Sequence, residues 1–355
     1  MNKKLVGLGL AAAAAVSLAA CGNRASKSSS SEASSSADTS VKAAIVTDIG
    51  GVDDRSFNQS AWEGLQEWGK AASLSKGNGY DYFPSASESD YITNLDSAVA
   101  GGYNLVFGIG FALESAIAEV APNNPNTHYV IVDSVVPDQD NVVSVGFADH
   151  EASYLAGVAA AKSTKTNHVG FIGGMEGVII DRFEAGFVAG AKSVNKDIKI
   201  TVDYAGSFGD AAKGQTLAAA QYAAGADVIF HASGGTGNGV FAAAKAENET
   251  RNEADKVWVI GVDRDQSAEG TYTSKDGKSS NFVLASTLKQ VGTSVKDIAT
   301  KAAAGDFPGG QVLQFSLKDK GVELAETNLS EDASKAVADA KQAILDGKVE
   351  VPEKP

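Results

Sequence analysis

Apolar residues in this chain come in short unbroken blocks, each ending at a glycine or an aspartate. In order the blocks read AAIVTD, LVFGIG, YVIVDS, VVSVGF, HVGFIGG, KITVDYAG, DVIFHASGG, VWVIGVD and NFVLAST. Runs of Val, Ile and Phe without polar alternation are the mark of strands buried on both faces, as in parallel sheets covered by helices. The Ala-rich stretches between them predict helices over 60–72, 91–100, 112–120, 151–162, 183–195, 213–224, 239–248 and 291–304. This βαβ alternation, with right-handed crossovers, gives open doubly wound sheets. The strands are too many for one comfortable sheet, so two similar lobes are expected. The chain is expected to cross first at 145–157, where a strand passes into a long helix without a tight turn. A second crossing is expected near Asp263 and a third near 308–310. The N-terminal lobe then comprises 41–147 plus about 264–308, and the C-terminal lobe 148–263 plus about 309–355, with boundaries good to several residues.

The first forty residues have another character. Two lysines precede sixteen apolar or small residues, Leu5 to Ala20, which is too short and Ala-rich for a comfortable transmembrane span and reads as a secretory signal over 1–20. It closes on LAAC, which looks like a bacterial lipobox, with Cys21 as the acylated N-terminus of the mature chain. Acyl chains anchor at about 0.8 kcal/mol per buried methylene, so a multiply acylated cysteine holds a protein stably on a membrane. The Ser-rich stretch to residue 40 has almost nothing to bury and is expected to be a flexible tether.

Charge and cysteine count narrow the chemistry. The formal net charge is −14, and removing residues 1–20 makes it two units more negative. Such a chain repels phosphate, so a nucleic-acid partner is excluded. Cys21 is the only cysteine, which leaves no thiol for a disulfide or for catalysis.

In open α/β sheets ligands sit outside the carboxyl ends of the strands. Those ends carry Asp48, Gly108–Gly110, Asp133, Gly173–Gly174, Phe208, Gly234–Gly235 and Asp263. An aspartate there often only caps a helix or closes a turn. Three of them at cleft-facing ends favour a ligand rich in hydroxyls or N–H groups, because an ionised carboxylate only accepts. His128, His150, His168 and His231 have no partner at helical spacing, so no metal site is expected. There is no Gly-x-Ser-x-Gly elbow. Asp53 and Asp54 are adjacent and point apart, which suits a loop or helix-start role. The glycines of HASGGTGNG, residues 231–239, match neither phosphate-binding spacing and are expected to admit close backbone approach. Phe57 and Phe208 each follow a strand and precede a helix. Either could be a hydrophobic staple, but from opposite lobes they could sandwich a flat ring.

The lipobox, then VTDIGGVDDRSFNQSAWEG, YVIVDS, VGFIGGMEG and VIGVDRDQ, together resemble the basic membrane protein (BMP) family of bacterial lipoproteins. The similarity is greatest to its purine nucleoside receptors, substrate-binding proteins of ABC importers. The resemblance implies a type I periplasmic-binding-protein fold, two Rossmann-like lobes with parallel sheets joined by three crossing strands. It places the base-stacking pair on Phe57 and Phe208. Polar contacts to the base fall on Asp48, Asn58 and Asp133, with Gly234 helping through its backbone. Asp263 and Lys289 would hold the ribose. No cofactor and no enzymatic activity are implied. The implied partners are a purine nucleoside of the adenosine, guanosine or inosine class, an ABC permease with its ATPase, and the membrane through the acyl chains on the extracytoplasmic face, a Gram-positive surface being favoured. A sugar or other small polyol is the competing ligand, and a nucleoside hydrolase the competing enzyme; the latter lacks its dense calcium-holding acid cluster here.

Overall fold

The computed structural model describes residues 41–355. The expected signal segment, the lipidation site Cys21 and the Ser-rich tether lie outside the described residues. All nine expected strands form, and except for the half-buried edge strand of KITVDYAG their apolar blocks are buried on both faces because each sheet is covered twice. Along β1 (Ala43–Thr47), Ala43 and Ile45 enter one core while Ala44 and Val46 enter another. The same division holds in β6 (His168–Gly173), where Phe171 and Ile172 point into different cores.

The first sheet adds β2 (Tyr80–Phe83), β3 (Leu105–Ile109), β4 (His128–Val132), β5 (Val142–Phe147) and β13 (Val312–Phe315). Its order is β13-β5-β4-β3-β1-β2, and every pairing is parallel. The second contains β6, β7 (Lys199–Tyr204), β8 (Val228–Ala232), β9 (Trp258–Gly261), β12 (Val283–Lys289) and β14 (Val322–Glu326) in the order β14-β12-β9-β8-β6-β7. Only β14 runs antiparallel to its neighbour in this sheet. A small hairpin of β10 (Thr271–Thr273) and β11 (Ser279–Asn281) lies between β9 and β12 in sequence.

The chain crosses first where β5 passes into helix α4 (Asp149–Ser163). The second crossing is not at Asp263. Val283 of β12 aligns with Val259 of β9 in parallel register, so residues 264–289 stay with the second sheet. The chain leaves that sheet only after Lys289, where α8 (Val291–Ala303) packs on α1 (Phe57–Ala71). The third crossing also lies later than 308–310, because QVLQF first adds β13 to the edge of the first sheet before β14 joins the second. Both displacements have one cause: sheet membership is set by backbone pairing, which the apolar blocks do not encode. A last helix, α9 (Glu331–Leu345), packs on α4.

Candidate functional site

Loops at the carboxyl ends of the two sheets converge on one cavity. All eight residues singled out from the sequence line it: Asp48, Phe57, Asn58, Asp133, Phe208, Gly234, Asp263 and Lys289. The loops come close enough to bond. Gln266 Nε2 donates to the Arg55 carbonyl at 2.9 Å, Arg55 pairs with Glu269, and the Ser56 hydroxyl donates to Asp263.

The loop after β1 does most of the shaping. α1 starts at Phe57, three residues before the sequence estimate, so Phe57 and Asn58 occupy its first turn. Asp54 fixes that turn. Its Oδ1 accepts from the backbone N–H of Ser56 (2.8 Å) and Gln59 (3.0 Å), and its Oδ2 from that of Asn58 (2.9 Å). This is the helix-start role expected of it, yet Asp54 is also buried and lines the cavity. Asp54→Ala leaves three N–H groups of a helix start without their acceptor, and should cost about 2 kcal/mol in denaturant-induced unfolding. An unchanged unfolding midpoint would contradict the anchoring role.

Asn58 differs from expectation. Its Nδ2 is shared by Asp48 Oδ1 at 2.7 Å and Asp54 Oδ2 at 3.1 Å, while its Oδ1 is buried without a donor. A free amide offers a ligand both a donor and an acceptor; here both N–H groups are consumed by carboxylates, and only the acceptor is left for the base contact the resemblance implies. Asp48 also takes the Gly50 N–H at 2.8 Å. Burial lifts its carboxyl to about 7 against those two bonds, with Asp54 and Asp263 adding to the rise.

Asp133 and Asp263 end β4 and β9, and both take a φ of 66°, a left-handed conformation that aspartate tolerates better than most residues. The turn lifts each carboxylate off its strand toward the cavity. Asp263 is raised to about 6, mainly by burial, against the pull of Lys289 and Ser56. Asp133 binds the Lys289 ammonium through Oδ2 at 2.6 Å and keeps a buried Oδ1 without a donor. Burial alone would pull the Lys289 ammonium down, but Asp133, Asp149 and Asp263 together outweigh it and hold Lys289 well above the ordinary lysine range.

Aromatic and apolar walls close the rest. Phe208 stands edge-on to Phe111, ring centroids 6.0 Å apart at 75°, so residues from both sheets meet there. Gly174 leaves the space for the Phe208 ring, since a Cβ on it would lie 2.3 Å from that ring. Ile179, Ile180 and Phe183 also line the cavity and were missed as site residues, because α5 (Val178–Val194) begins more than a turn before 183. Their signal was present in the apolar VII preceding the predicted helix start. His231 lies buried beside Ser233, and burial holds it down at about 4, so it adds no cation. Among the described residues no group of three or more His, Cys, Asp or Glu is placed to hold a metal, and no helix is long and apolar enough to cross a membrane.

The arrangement joins flat apolar walls to a surplus of acceptors, with one lysine already paired. It suits a planar, uncharged ligand that carries several N–H or O–H donors, and it opposes an anion.

Known proteins agree with this architecture. The chain is 58% identical over 355 residues, the whole of both chains, to the ABC transporter nucleoside-binding protein BmpA of Lactococcus lactis subsp. cremoris (strain MG1363). It is 33% identical to basic membrane protein A of Borreliella burgdorferi (strain ATCC 35210 / DSM 4680 / CIP 102532 / B31), over 78% of this chain and 77% of that one. A solved ABC transporter solute-binding protein from Aeropyrum pernix K1 shares the fold at a TM-score of 0.77, with 23% identity over 88% of this chain and 94% of that one. The family model for PnrA-like ABC transporter substrate-binding proteins matches residues 41–355. The chain therefore belongs to the Bmp family of ABC transporter substrate-binding proteins, a family of binding proteins and not of enzymes.

Proposed function

We propose that this chain captures nucleosides, purine nucleosides before others, in the cavity between its two sheets and delivers them to an ABC permease driven by its ATPase. In this reading Cys21 carries the acyl chains that hold it on the extracytoplasmic face of the membrane. The observation that supports the ligand class best is the pairing of aromatic walls with unpartnered acceptors. Phe57 and Phe208 supply ring faces, and Asn58 Oδ1 and Asp133 Oδ1 supply acceptors that a base edge with N–H donors would satisfy. Asp263 accepts from the ribose diol, and Lys289 donates to the same end of the ligand. A site with buried acceptors rejects analogues lacking the donors, because its own polar atoms are then left unpaired. The nucleoside-binding function carried in the name of the Lactococcus lactis relative agrees with this assignment.

Calorimetry with inosine, guanosine, cytidine and free hexoses tests the ligand class directly. Purine nucleosides should bind most tightly, and Phe57→Ala and Phe208→Ala should each weaken them about tenfold through lost stacking and apolar burial. Tight binding of a free sugar with no response to any nucleoside would replace this reading with a carbohydrate-binding one.

A further inference from the structure

Asp149 lies behind the ligand site and belongs to no motif that points to a ligand. It is the first residue of α4, at the first crossing between the sheets, and is 1% exposed. The Lys289 ammonium, at the second crossing, stands 3.1 Å from its Oδ1. No hydrogen-bond donor is aligned on either oxygen of Asp149, and the Ser153 hydroxyl one turn along the helix is also buried without a partner. Lys289 lines the cavity and Asp149 does not.

The geometry points to Asp149 as a positioning residue of the ligand site, one that holds the Lys289 ammonium from behind so that its remaining N–H is directed at the ribose. An ammonium has three donors on a flexible stem. Asp133 engages one at 2.6 Å, and the Asp149 carboxylate, 3.1 Å from Nζ without an aligned hydrogen bond, holds the positive head by charge, which keeps a donor not used by Asp133 toward the cavity. Rings restrict the head further: the Phe57, Phe147 and Phe183 centroids lie 5.1, 5.2 and 5.6 Å from Nζ. With Asp133 alone, the ammonium would turn toward that single carboxylate. The charged groups acting on Asp149 are Lys289, Asp133 and Asp263, from the ends of β12, β4 and β9, and the α4 N-terminus itself favours its negative charge. A pair kept only for stability has no need to sit beneath a cavity-lining group, since apolar replacements of buried ion pairs are often as stable. The inference rests on the nucleoside reading above.

The test compares inosine with hypoxanthine, which lacks the ribose, on wild type, D149N, K289M and D149N/K289M. D149N should weaken inosine about tenfold to a hundredfold, the range for one hydrogen bond to a charged group, with hypoxanthine held within about twofold. In the K289M background D149N should have no further effect on inosine. That comparison also serves if D149N alone does not fold, because the double variant has lost both charges. Three results overturn the assignment: no loss of inosine affinity, an equal loss of hypoxanthine affinity, or an undiminished effect of D149N when Lys289 is already Met. Wild-type protein that binds no nucleoside removes both this inference and the function it rests on, and is seen before any variant is made.

Discussion

Asp263→Ala is expected to weaken inosine binding by about a hundredfold or more, the lower end for the loss of two hydrogen bonds to a charged acceptor, and to change hypoxanthine binding far less. Asp263 ends β9 in the left-handed region and is buried, and its Oδ2 receives the Ser56 hydroxyl from the opposite loop. Ser56 thereby orients the carboxylate toward the cavity, where a diol can use the lone pairs still open. Only the ionised carboxylate can accept from two hydroxyls at once. Because burial lifts Asp263 to about 6, a measurable fraction is protonated in mildly acid solution. Ligand hydroxyls favour the ionised form, so the bound protein has the lower pKa, and the Asp263 share of the affinity is full well above about pH 6 and falls as the solution is acidified through it. Asp263→Ala should remove that acid-side fall. Calorimetry from about pH 5 to about pH 8 measures both effects. If hypoxanthine loses as much affinity as inosine, Asp263 does not read the ribose.

The strand-end aspartates were legible because three conditions met in one place: an apolar block, its carboxyl end, and a polar side chain that parallel sheets seldom bury there. Asp149 follows the VVSVGF block by two residues, but there the chain is expected to leave the lobe through a long helix, so it does not read as a strand-end ligand. In ADHEAS it reads as an acid just ahead of the helix expected from 151, an ordinary surface use of that residue. Only the folded chain shows that this turn lies under Lys289. The same limit applies to architecture. β2, β13 and β14 are edge strands, largely half-buried or exposed, and carry no continuous apolar block. The helix α9 buries only Ala333 and Val337, so EDASKAVADAKQAIL gave a weak stripe. The displaced second crossing has the same origin, since NFVLAST is equally apolar in either sheet. Asn58 marks a subtler limit: its identity and place were legible, but the direction of its amide depends on Asp48 and Asp54, two carboxylates that only the turn brings together.

Lys289→Met should destabilise the fold by about 3 kcal/mol at neutral pH, because it leaves Asp133 and Asp149 buried without a counter-charge. The pH dependence distinguishes this from simple loss of packing. In the wild type, burial raises Asp149 to about 7 in spite of Lys289, and Asp48 stands at about 7 and Asp263 at about 6. All three are above the usual carboxylate value, so the native state holds more protons than the unfolded chain between about pH 4 and about pH 7, and stability falls as pH rises through that window. Removing the ammonium raises Asp149 and Asp263 further, because the charge that held both down has gone. The variant's native state then holds still more protons, and its stability falls more steeply with rising pH. The deficit relative to wild type should therefore be smaller near about pH 4, where Asp149 and Asp263 are protonated in either protein, and largest above about pH 7. A deficit independent of pH would mean that Lys289 contributes its aliphatic stem and not its charge. D149N/K289M should regain part of the loss at high pH, since one of the two stranded carboxylates is gone, and urea unfolding of the two variants side by side measures it. The stabilising charge and the ligand-facing donor are the same atom, so in this site the stability of the empty protein and its grip on ribose should respond together to Lys289 and separately to Asp263.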